Sequence, residues 1–213
     1  MVSTSPTAAF FDRWSATYDR PALQLLTYRP IHDAVLARLD GVESSTVVDL
    51  GCGTGQLTQR LRRRFPHANI VGVDLSDGML TEAAGRLREV GGNAQPLVQA
   101  DAMQLPFAAS SVDVVVCTES FHWYPDQAGV LAEIARVLDP DGRLLIASIA
   151  TVTVAGDRLL RRVTSAGGRT IRALPPSRMC ELLARTGFEV ISQRRIPRLG
   201  PTAWPVLTDA RRH

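Results

Sequence analysis

Short apolar runs alternate with amphipathic segments along most of this 213-residue chain. The runs are rich in Val, Ile and Leu and are bounded by Gly, Asp or Pro, which is typical of buried strands. Between them, apolar residues recur every three or four positions, as in helices packed on a sheet. The pattern predicts helices over Ala8–Tyr18, Arg29–Leu39, Gln56–Arg64, Gly78–Val90, Gln127–Leu138 and 176–186. It predicts strands over 47–50, Ile70–Asp74, Gln95–Gln99, Val112–Thr118, Arg143–Ser148 and Phe188–Ile196, with a last antiparallel strand within Pro201–Arg212. Such alternation favours an α/β protein with a parallel sheet.

The first strand ends in a glycine-rich turn, Asp-Leu-Gly-Cys-Gly-Thr-Gly over residues 49–55, and a helix follows at once. Open α/β sheets hold ligands at the carboxyl ends of their strands, and glycine lets the backbone approach a ligand closely. The dinucleotide fingerprint needs its third glycine where Gln56 stands, so its spacing is not met. The turn therefore indicates a nucleotide-type cofactor of another class.

Residues 48–55, VDLGCGTG, closely resemble motif I of the class I S-adenosylmethionine-dependent methyltransferases. Three further segments resemble that family in the same order: IVGVDLS over 70–76, VQADAMQLPF over 98–107, and SVDVVVC over 111–117, which is followed by LDPDGRLLIA over 138–147. The family more often has Gly where Asp141 stands. The chain is most similar to the type 11 small-molecule branch, which includes the ubiquinone and menaquinone biosynthesis methyltransferases.

The resemblance implies a Rossmann-like fold with a central, mostly parallel, seven-stranded sheet flanked by helices and preceded by N-terminal lid helices. It implies S-adenosyl-L-methionine as methyl donor and S-adenosyl-L-homocysteine as product. Asp49 would orient the glycine turn and the donor's amino-acid part, Asp74 would accept both ribose hydroxyls, and Asp101 would meet the adenine, with Met103 packed on its ring. The cofactor contacts predicted in full are Asp49, Gly51, Cys52, Gly53, Gly55, Asp74, Leu75, Asp101, Ala102, Met103 and Thr118.

Two residues are candidates for catalysis. Tyr18 belongs to a segment, 10–19, that is similar to the family's opening Phe-Asp-x-x-Ala-x-x-Tyr-Asp, which folds over the cofactor as a lid. His122 follows the fourth strand, where the reacting centre is expected, and histidine can take a proton near neutral pH. A His-Trp pair in this loop can equally shape the wall of the pocket, so general base and pocket wall both stay open for His122.

Composition is consistent with a single methyltransferase domain, divided as 1–45 for the lid helices, 46–148 for the cofactor-binding core and 149–213 for the substrate-side and C-terminal strands. The chain is 45% hydrophobic and 21% charged, and it lacks a leader-like start or an apolar run long enough for a membrane span, so we expect a cytoplasmic protein. Its three cysteines lack metal-ligand spacing, which predicts chemistry without a metal.

Charge is uneven: residues 148–213 hold twelve Arg against four acidic residues, whereas residues 1–147 hold twelve against seventeen. The basic region is compatible with an anionic acceptor or a membrane surface, and equally with a solvated arginine face. All 24 basic residues are Arg, which indicates a coding bias more than a site.

The prediction is methyl transfer to a small, lipophilic or anionic, molecule. The alternatives are a methyltransferase of RNA or another macromolecule and a non-catalytic S-adenosylmethionine-binding protein. Nucleic acid is disfavoured because no Asn-Pro-Pro-Tyr-type segment follows the fourth strand. Metal-dependent catechol-type chemistry is disfavoured because no close pair of acids stands there. The region between Ile149 and Pro175 is short for a substrate cap, so an open pocket and one completed by a second subunit, in a homodimer, are both compatible with it.

Overall fold

The computed structural model describes residues 28–42, 45–88, 96–151, 153–166, 170–197 and 205–213. The helices within them are α1 (Arg29–Leu36), α2 (Gln56–Arg64), α3 (Asp77–Arg88), α4 (Gln127–Val137), α5 (Val154–Ala166) and α6 (Pro176–Arg185). The strands are β1 (Thr46–Leu50), β2 (Asn69–Asp74), β3 (Leu97–Gln99), β4 (Val112–Thr118), β5 (Leu138–Ile149), β6 (Phe188–Arg195) and β7 (Pro205–Arg212). The helix predicted over Ala8–Tyr18 lies outside the described residues.

The seven strands form one sheet in the order β3-β2-β1-β4-β5-β7-β6. Neighbouring strands from β3 to β5 run parallel, whereas β7 runs antiparallel to both β5 and β6. The predicted fold class and the antiparallel last strand are therefore confirmed. After β1, the chain adds β2 and β3 on one side of β1 in the sheet and then adds β4 on the opposite side of β1. This reversal opens a crevice at the carboxyl end of β1, where α/β sheets hold ligands.

The central strands are apolar on both faces because helices cover both sides of the sheet. Successive residues of β1 point to opposite sides, so Val47 packs with α1 and α2 while Val48 packs with α4 and α6. The same alternation along β4 places Val114 and Val116 in the layer of Val47, on one face of the sheet, and Val115 in the layer of Val48, on the other face. Two apolar layers thus hold the strand ends, and the turns that follow them, at fixed positions.

Helix α5 is the main element that the hydrophobic pattern does not predict. It leaves Leu159 and Val163 64% and 65% exposed, while Asp157, on its inner side, is buried and is bound by Arg161 at 2.8 Å. The segment is amphipathic, because Leu159 and Val163 lie on a different face from Arg158 and Arg161, but in the described structure its apolar residues are exposed and its buried side carries a carboxylate. The strand predicted over Arg143–Ser148 is longer than expected, since β5 begins at Leu138.

Among the described residues, no helix is both long enough and apolar enough to cross a membrane.

We predict that Asp141→Gly stabilises the protein by about 0.5 kcal/mol, since Asp141 is exposed and has a left-handed backbone with a φ of 66°. This conformation gives a physical reason for the family's preference for Gly at the position. Urea unfolding measures the change, with Asp141→Ala as the control. The alanine variant should be the less stable of the two, and an alanine variant as stable as the glycine variant would contradict the explanation.

Candidate cofactor and acceptor site

The glycine turn at the end of β1 is fastened to the end of β2. The Gly51 and Cys52 amides both donate to the carbonyl oxygen of Val73, at 2.7 and 3.0 Å. The Gly53 amide donates to Oδ2 of Asp74 at 2.9 Å, and the Ser76 amide donates to the other oxygen, Oδ1, at 2.9 Å. The Asp74 carboxylate therefore ties together the turn after β1 and the turn after β2.

The three glycines of the turn all have left-handed backbones, with φ of 71°, 54° and 76°, but for different reasons. A Cβ on Gly51 would lie 2.4 Å from the Cβ of Ser120, and one on Gly55 would lie 2.9 Å from the Cβ of Ala83 on α3. A Cβ on Gly53 would meet no atom within 4 Å. Gly51 and Gly55 thus allow protein segments to pack closely, whereas Gly53 leaves open space.

A cavity of about 400 Å³ lies along the carboxyl ends of β1, β2, β3 and β4. This volume falls within the range of small-ligand sites. Its wall is formed by the last residues of β1, β2 and β4, by the turns that follow the four strands and by the first turns of α3 and α4, namely Leu50, Gly51, Gly53, Val73, Asp74, Leu75, Ser76, Met79, Ala100, Asp101, Ala102, Met103, Thr118, Glu119, Ser120, Trp123, Tyr124, Pro125 and Val130.

The structure brings most of the predicted contact residues together on this cavity. Those that line it are Gly51, Gly53, Asp74, Leu75, Asp101, Ala102, Met103 and Thr118. Asp49 and Gly55 do not line it, and Cys52 lines a smaller neighbouring cavity of about 40 Å³. Tyr18 lies outside the described residues. Which of these residues contact a bound cofactor stays a prediction.

Asp101 and Met103 form one wall after β3. Oδ1 of the exposed Asp101 accepts a hydrogen bond from the Met103 amide at 2.9 Å, which fixes a tight turn. The Met103 side chain is 42% exposed, a large fraction for an apolar residue. An exposed thioether beside a carboxylate offers a flat aromatic ligand both a packing surface and a hydrogen-bond acceptor.

Asp49 is buried beneath the turn rather than exposed to the cavity. Its Oδ2 accepts a hydrogen bond from the Thr58 hydroxyl on α2 at 2.6 Å. Burial raises the pKa of the Asp49 carboxyl to about 7, against the smaller opposing effect of the Thr58 bond and with a contribution from nearby Asp74. Asp49 thus joins β1 to α2 from below the turn, and its contact with the cofactor's amino-acid part stays a prediction.

The loop after β4 supplies residues that the sequence motifs did not identify. Ser120 Oγ donates to the Leu50 carbonyl at 3.1 Å and accepts from the Tyr124 hydroxyl at 3.4 Å. Burial raises the pKa of Tyr124 well above its usual range, so the phenol on the cavity wall is neutral. Trp123 lines the cavity as well, and the place of both aromatic residues after a parallel strand was the signal that could have marked them as lining residues.

His122 does not line the main cavity. Its ring is buried, Nδ1 lies 3.0 Å from Ser148 Oγ, and its carbonyl accepts from the Arg172 amide at 2.8 Å. The imidazole centroid lies 5.1 Å from that of Trp123, which does line the cavity. His122 therefore lies behind Trp123 and not on the wall itself, and general base and pocket wall both stay predictions for it.

His32 on α1 is a second histidine near the glycine turn, and the sequence motifs gave no sign of it. It lines the smaller cavity together with Cys52, Gly53 and Thr118. Burial, helped by the positive charge of Arg60, lowers the pKa of His32 to about 3. The imidazole is therefore neutral at physiological pH and presents no positive charge to the turn.

The charged side chains on the main cavity are all acidic in the described part of the chain: Asp74, Asp101 and Glu119. None of the described arginines of residues 148–213 is among its lining residues. Arg161 and Arg178 instead bind Asp157 and Glu181 at 2.8 and 2.5 Å. The electrostatic character of the cavity therefore favours a cationic ligand.

Comparison with protein families gives a match to the methyltransferase domain family over residues 48–146. The chain is 34% identical to a malonyl-[acyl-carrier protein] O-methyltransferase from Geobacter sulfurreducens, over 85% of this chain and 69% of that protein. It is 34% identical to a trans-aconitate 2-methyltransferase from Acidovorax, over 74% of this chain and 55% of that protein. It spans 51% to 61% of the length of three other malonyl-[acyl-carrier protein] O-methyltransferases.

Solved structures share the fold. The magnesium protoporphyrin IX methyltransferase from Synechocystis, crystallised with bound S-adenosylhomocysteine, superposes with a TM-score of 0.73 at 21% identity. The superposition covers 97% of this chain and 95% of that one. At this identity the likeness concerns the fold alone, and it confirms the predicted Rossmann-like architecture.

We predict that Gly53→Ala weakens S-adenosylhomocysteine binding at least tenfold, because the methyl group would occupy the open space beside the turn and strain its backbone. Gly187→Ala is the matched control, since Gly187 also has a positive φ and an open Cβ position, away from the cavity. Calorimetric titration measures both variants. Equal affinities in the two variants would show that the open side of Gly53 does not face the ligand.

We predict that Asp49 makes the native state less stable as pH rises from about 4 to about 7, because the folded protein holds the Asp49 proton more tightly than the unfolded chain does. Its stabilising contribution is complete below the ordinary carboxyl pKa and is lost above the raised one. When the pH is raised from 5 to 8, the free energy of unfolding of the wild type should therefore fall by about 2 kcal/mol more than that of Asp49→Asn. Urea unfolding at both pH values measures this, and exposed Asp77→Asn should behave as the wild type does.

Proposed function

The chain belongs to the class I S-adenosylmethionine-dependent methyltransferases, in the type 11 small-molecule branch, and we propose that it transfers a methyl group from S-adenosylmethionine to a small-molecule acceptor. One observation carries this proposal. The glycine turn, Asp74 and Asp101 lie on one cavity in the order of their strands, β1, β2 and β3. An extended nucleoside-type ligand laid across three parallel strand ends would meet all three.

The residues of the cavity suit this donor. Gly53 leaves room where a side chain would stand, and the carboxylates of Asp74 and Asp101 can accept from hydroxyl and amino groups. The acidic lining matches a sulfonium, since S-adenosylmethionine carries its methyl group on a positively charged sulfur. In the proposal, Asp74 holds the ribose, Asp101 and Met103 hold the adenine, and Gly51 and Gly53 pass beside the amino-acid part.

The protein's contribution to transfer is positioning. Displacement at an already activated methyl group needs alignment of the nucleophile and exclusion of water more than it needs acid or base chemistry. Trp123 and Tyr124, which follow β4, give the cavity apolar surface beside the strand end next to the glycine turn. The names of the two relatives describe acceptors that carry carboxylates.

Calorimetric titration of the purified protein with S-adenosylmethionine and S-adenosylhomocysteine tests the cofactor assignment, with NADH as the control ligand. Micromolar binding of the first two without binding of NADH supports it. Release of S-adenosylhomocysteine on addition of small acceptors then tests catalysis. Cofactor binding without turnover on any acceptor would favour the alternative of a non-catalytic binding protein.

We predict that Asp74→Ala weakens S-adenosylmethionine binding by on the order of 2–4 kcal/mol, because it leaves the ribose hydroxyls unpaired and also frees the Gly53 amide. Asp77→Ala is the matched control, since Asp77 is an exposed acid that does not line the cavity. Titration measures the affinities and circular dichroism checks the fold. Unchanged affinity in folded Asp74→Ala would contradict the assignment of Asp74.

Cytoplasmic location and a homodimer are further parts of the proposal. Light scattering coupled to size-exclusion chromatography measures the mass in solution, with one chain weighing 23.2 kDa.

A further inference from the structure

We propose that Glu119 places a carboxylate at the point where the methyl group leaves the donor, and that it selects an acceptor with a neutral or cationic O–H or N–H group over a carboxylate. This inference rests on the proposed function. It concerns the end of the cavity that faces the acceptor, where the sequence offered Tyr18 and His122 as candidates and did not name Glu119.

The order of the strands locates Glu119 relative to the donor. The cavity crosses the carboxyl ends of β3, β2, β1 and β4, which are neighbours in that order. Asp101 follows β3, Asp74 follows β2 and the glycine turn follows β1. A donor whose adenine and ribose meet the first two carboxylates places its sulfur near the turn, and the next strand end is that of β4. Glu119 is the first residue after β4, and it lines the cavity.

The backbone of Glu119 has a left-handed conformation, with a φ of 54°. Residues other than glycine adopt it at a cost and keep it where the surroundings enforce it, often at functional sites. Two neighbouring bonds enforce it here: the Glu119 amide donates to the Ala147 carbonyl at 2.7 Å, and Ser120 Oγ donates to the Leu50 carbonyl at 3.1 Å. The fold thus holds an unfavourable backbone that presents a half-buried carboxylate at the cavity wall.

The other titratable groups on the described cavity wall are already placed. Asp74 and Asp101 lie at the ribose and adenine positions, and Tyr124 is a neutral phenol that donates towards Ser120. His122, for which the sequence left general base and pocket wall both open, lies off the cavity beside Ser148. Glu119 is the third acidic side chain of the described wall, and it follows the strand end next to the glycine turn.

The chemistry that follows is a single displacement. A cationic acceptor such as an ammonium group first loses one proton to water, because it has no lone pair. The neutral acceptor oxygen or nitrogen then uses its lone pair to form the bond to the methyl carbon as the carbon–sulfur bond breaks, and the sulfur keeps that electron pair. The proton of the acceptor O–H or N–H passes to the Glu119 carboxylate and from there to water. A carboxylate acceptor has no such proton and is repelled by Glu119. The expected acceptor therefore differs in charge from malonyl and trans-aconitate groups.

Three ligands that share the adenosyl and amino-acid parts test this without a known acceptor, and each differs at the transferred group. S-Adenosylhomocysteine has no group there, sinefungin has an amine, and carboxy-S-adenosylmethionine has a carboxylate on the transferred carbon. S-Adenosylmethionine itself is the reference for carboxy-S-adenosylmethionine. Calorimetric titration of the wild type should give sinefungin at least tenfold tighter than S-adenosylhomocysteine. It should give carboxy-S-adenosylmethionine at least tenfold weaker than S-adenosylmethionine.

Two affinity ratios are compared: that of sinefungin to S-adenosylhomocysteine, and that of S-adenosylmethionine to carboxy-S-adenosylmethionine. Glu119→Gln should reduce both ratios about tenfold while leaving the affinity for S-adenosylhomocysteine within twofold of the wild-type value. Glu119→Gly, which suits the left-handed backbone, should do the same and provides a folded variant if the glutamine variant fails to fold. Asp141→Asn is the matched control, since Asp141 also has a positive φ but lies off the cavity. It should keep the wild-type ratios.

Ratios that stay unchanged in both Glu119 variants would overturn the proposal, as would wild-type protein that binds carboxy-S-adenosylmethionine as tightly as S-adenosylmethionine. Failure of the wild type to bind S-adenosylhomocysteine or S-adenosylmethionine at all would instead refute the proposed function, so the two failures are distinguishable.

Discussion

The hydrogen bonds between the glycine turn and the end of β2 are the constraint on which the site depends. Val73 accepts from two consecutive amides of the turn, and Asp74 accepts from a third, so the loop after β1 cannot move independently of β2. Glycine adopts the left-handed backbone conformation of the turn without steric cost, and this conformation directs the amides of the turn at those acceptors. The cavity takes its shape from this junction, because the turn forms its floor.

The same junction links binding to stability. Asp74 is both the expected ribose acceptor and the group that fastens Gly53, while Asp49 lies beneath with a carboxyl pKa raised to about 7. Two carboxylates close to one turn repel each other when both are ionised. A cationic ligand in the cavity would relieve that repulsion, so we expect the site to be more stable when it is filled.

The distribution of arginine shows why net charge is a poor guide to this site. The chain carries a formal net charge of +3, yet the charged groups on the described cavity wall are three carboxylates. Several arginines serve the scaffold instead: Arg143 and Arg38 lie 2.9 and 3.5 Å from the buried Asp209 of β7, and Arg161 binds Asp157. The local lining, and not the sum over the chain, determines which ligand is attracted.

The sequence by itself determined the fold class and the family, because strand periodicity and the glycine turn are local signals. Gly51, Gly53, Asp74, Asp101 and Met103, which it predicted as cofactor contacts, all line the cavity, and their contact with the cofactor stays a prediction. Only the tertiary structure decided that Asp49 lies beneath the turn, that His122 points away from the cavity and that Glu119 lines it. These depend on the direction in which a side chain leaves its strand end, which is set by packing between β4, β1 and β5 and has no periodic signature in the sequence. Helix α5 was not predicted although its sequence is amphipathic, and only the structure shows that its apolar Leu159 and Val163 are exposed while Asp157 is buried beside Arg161 of the same helix.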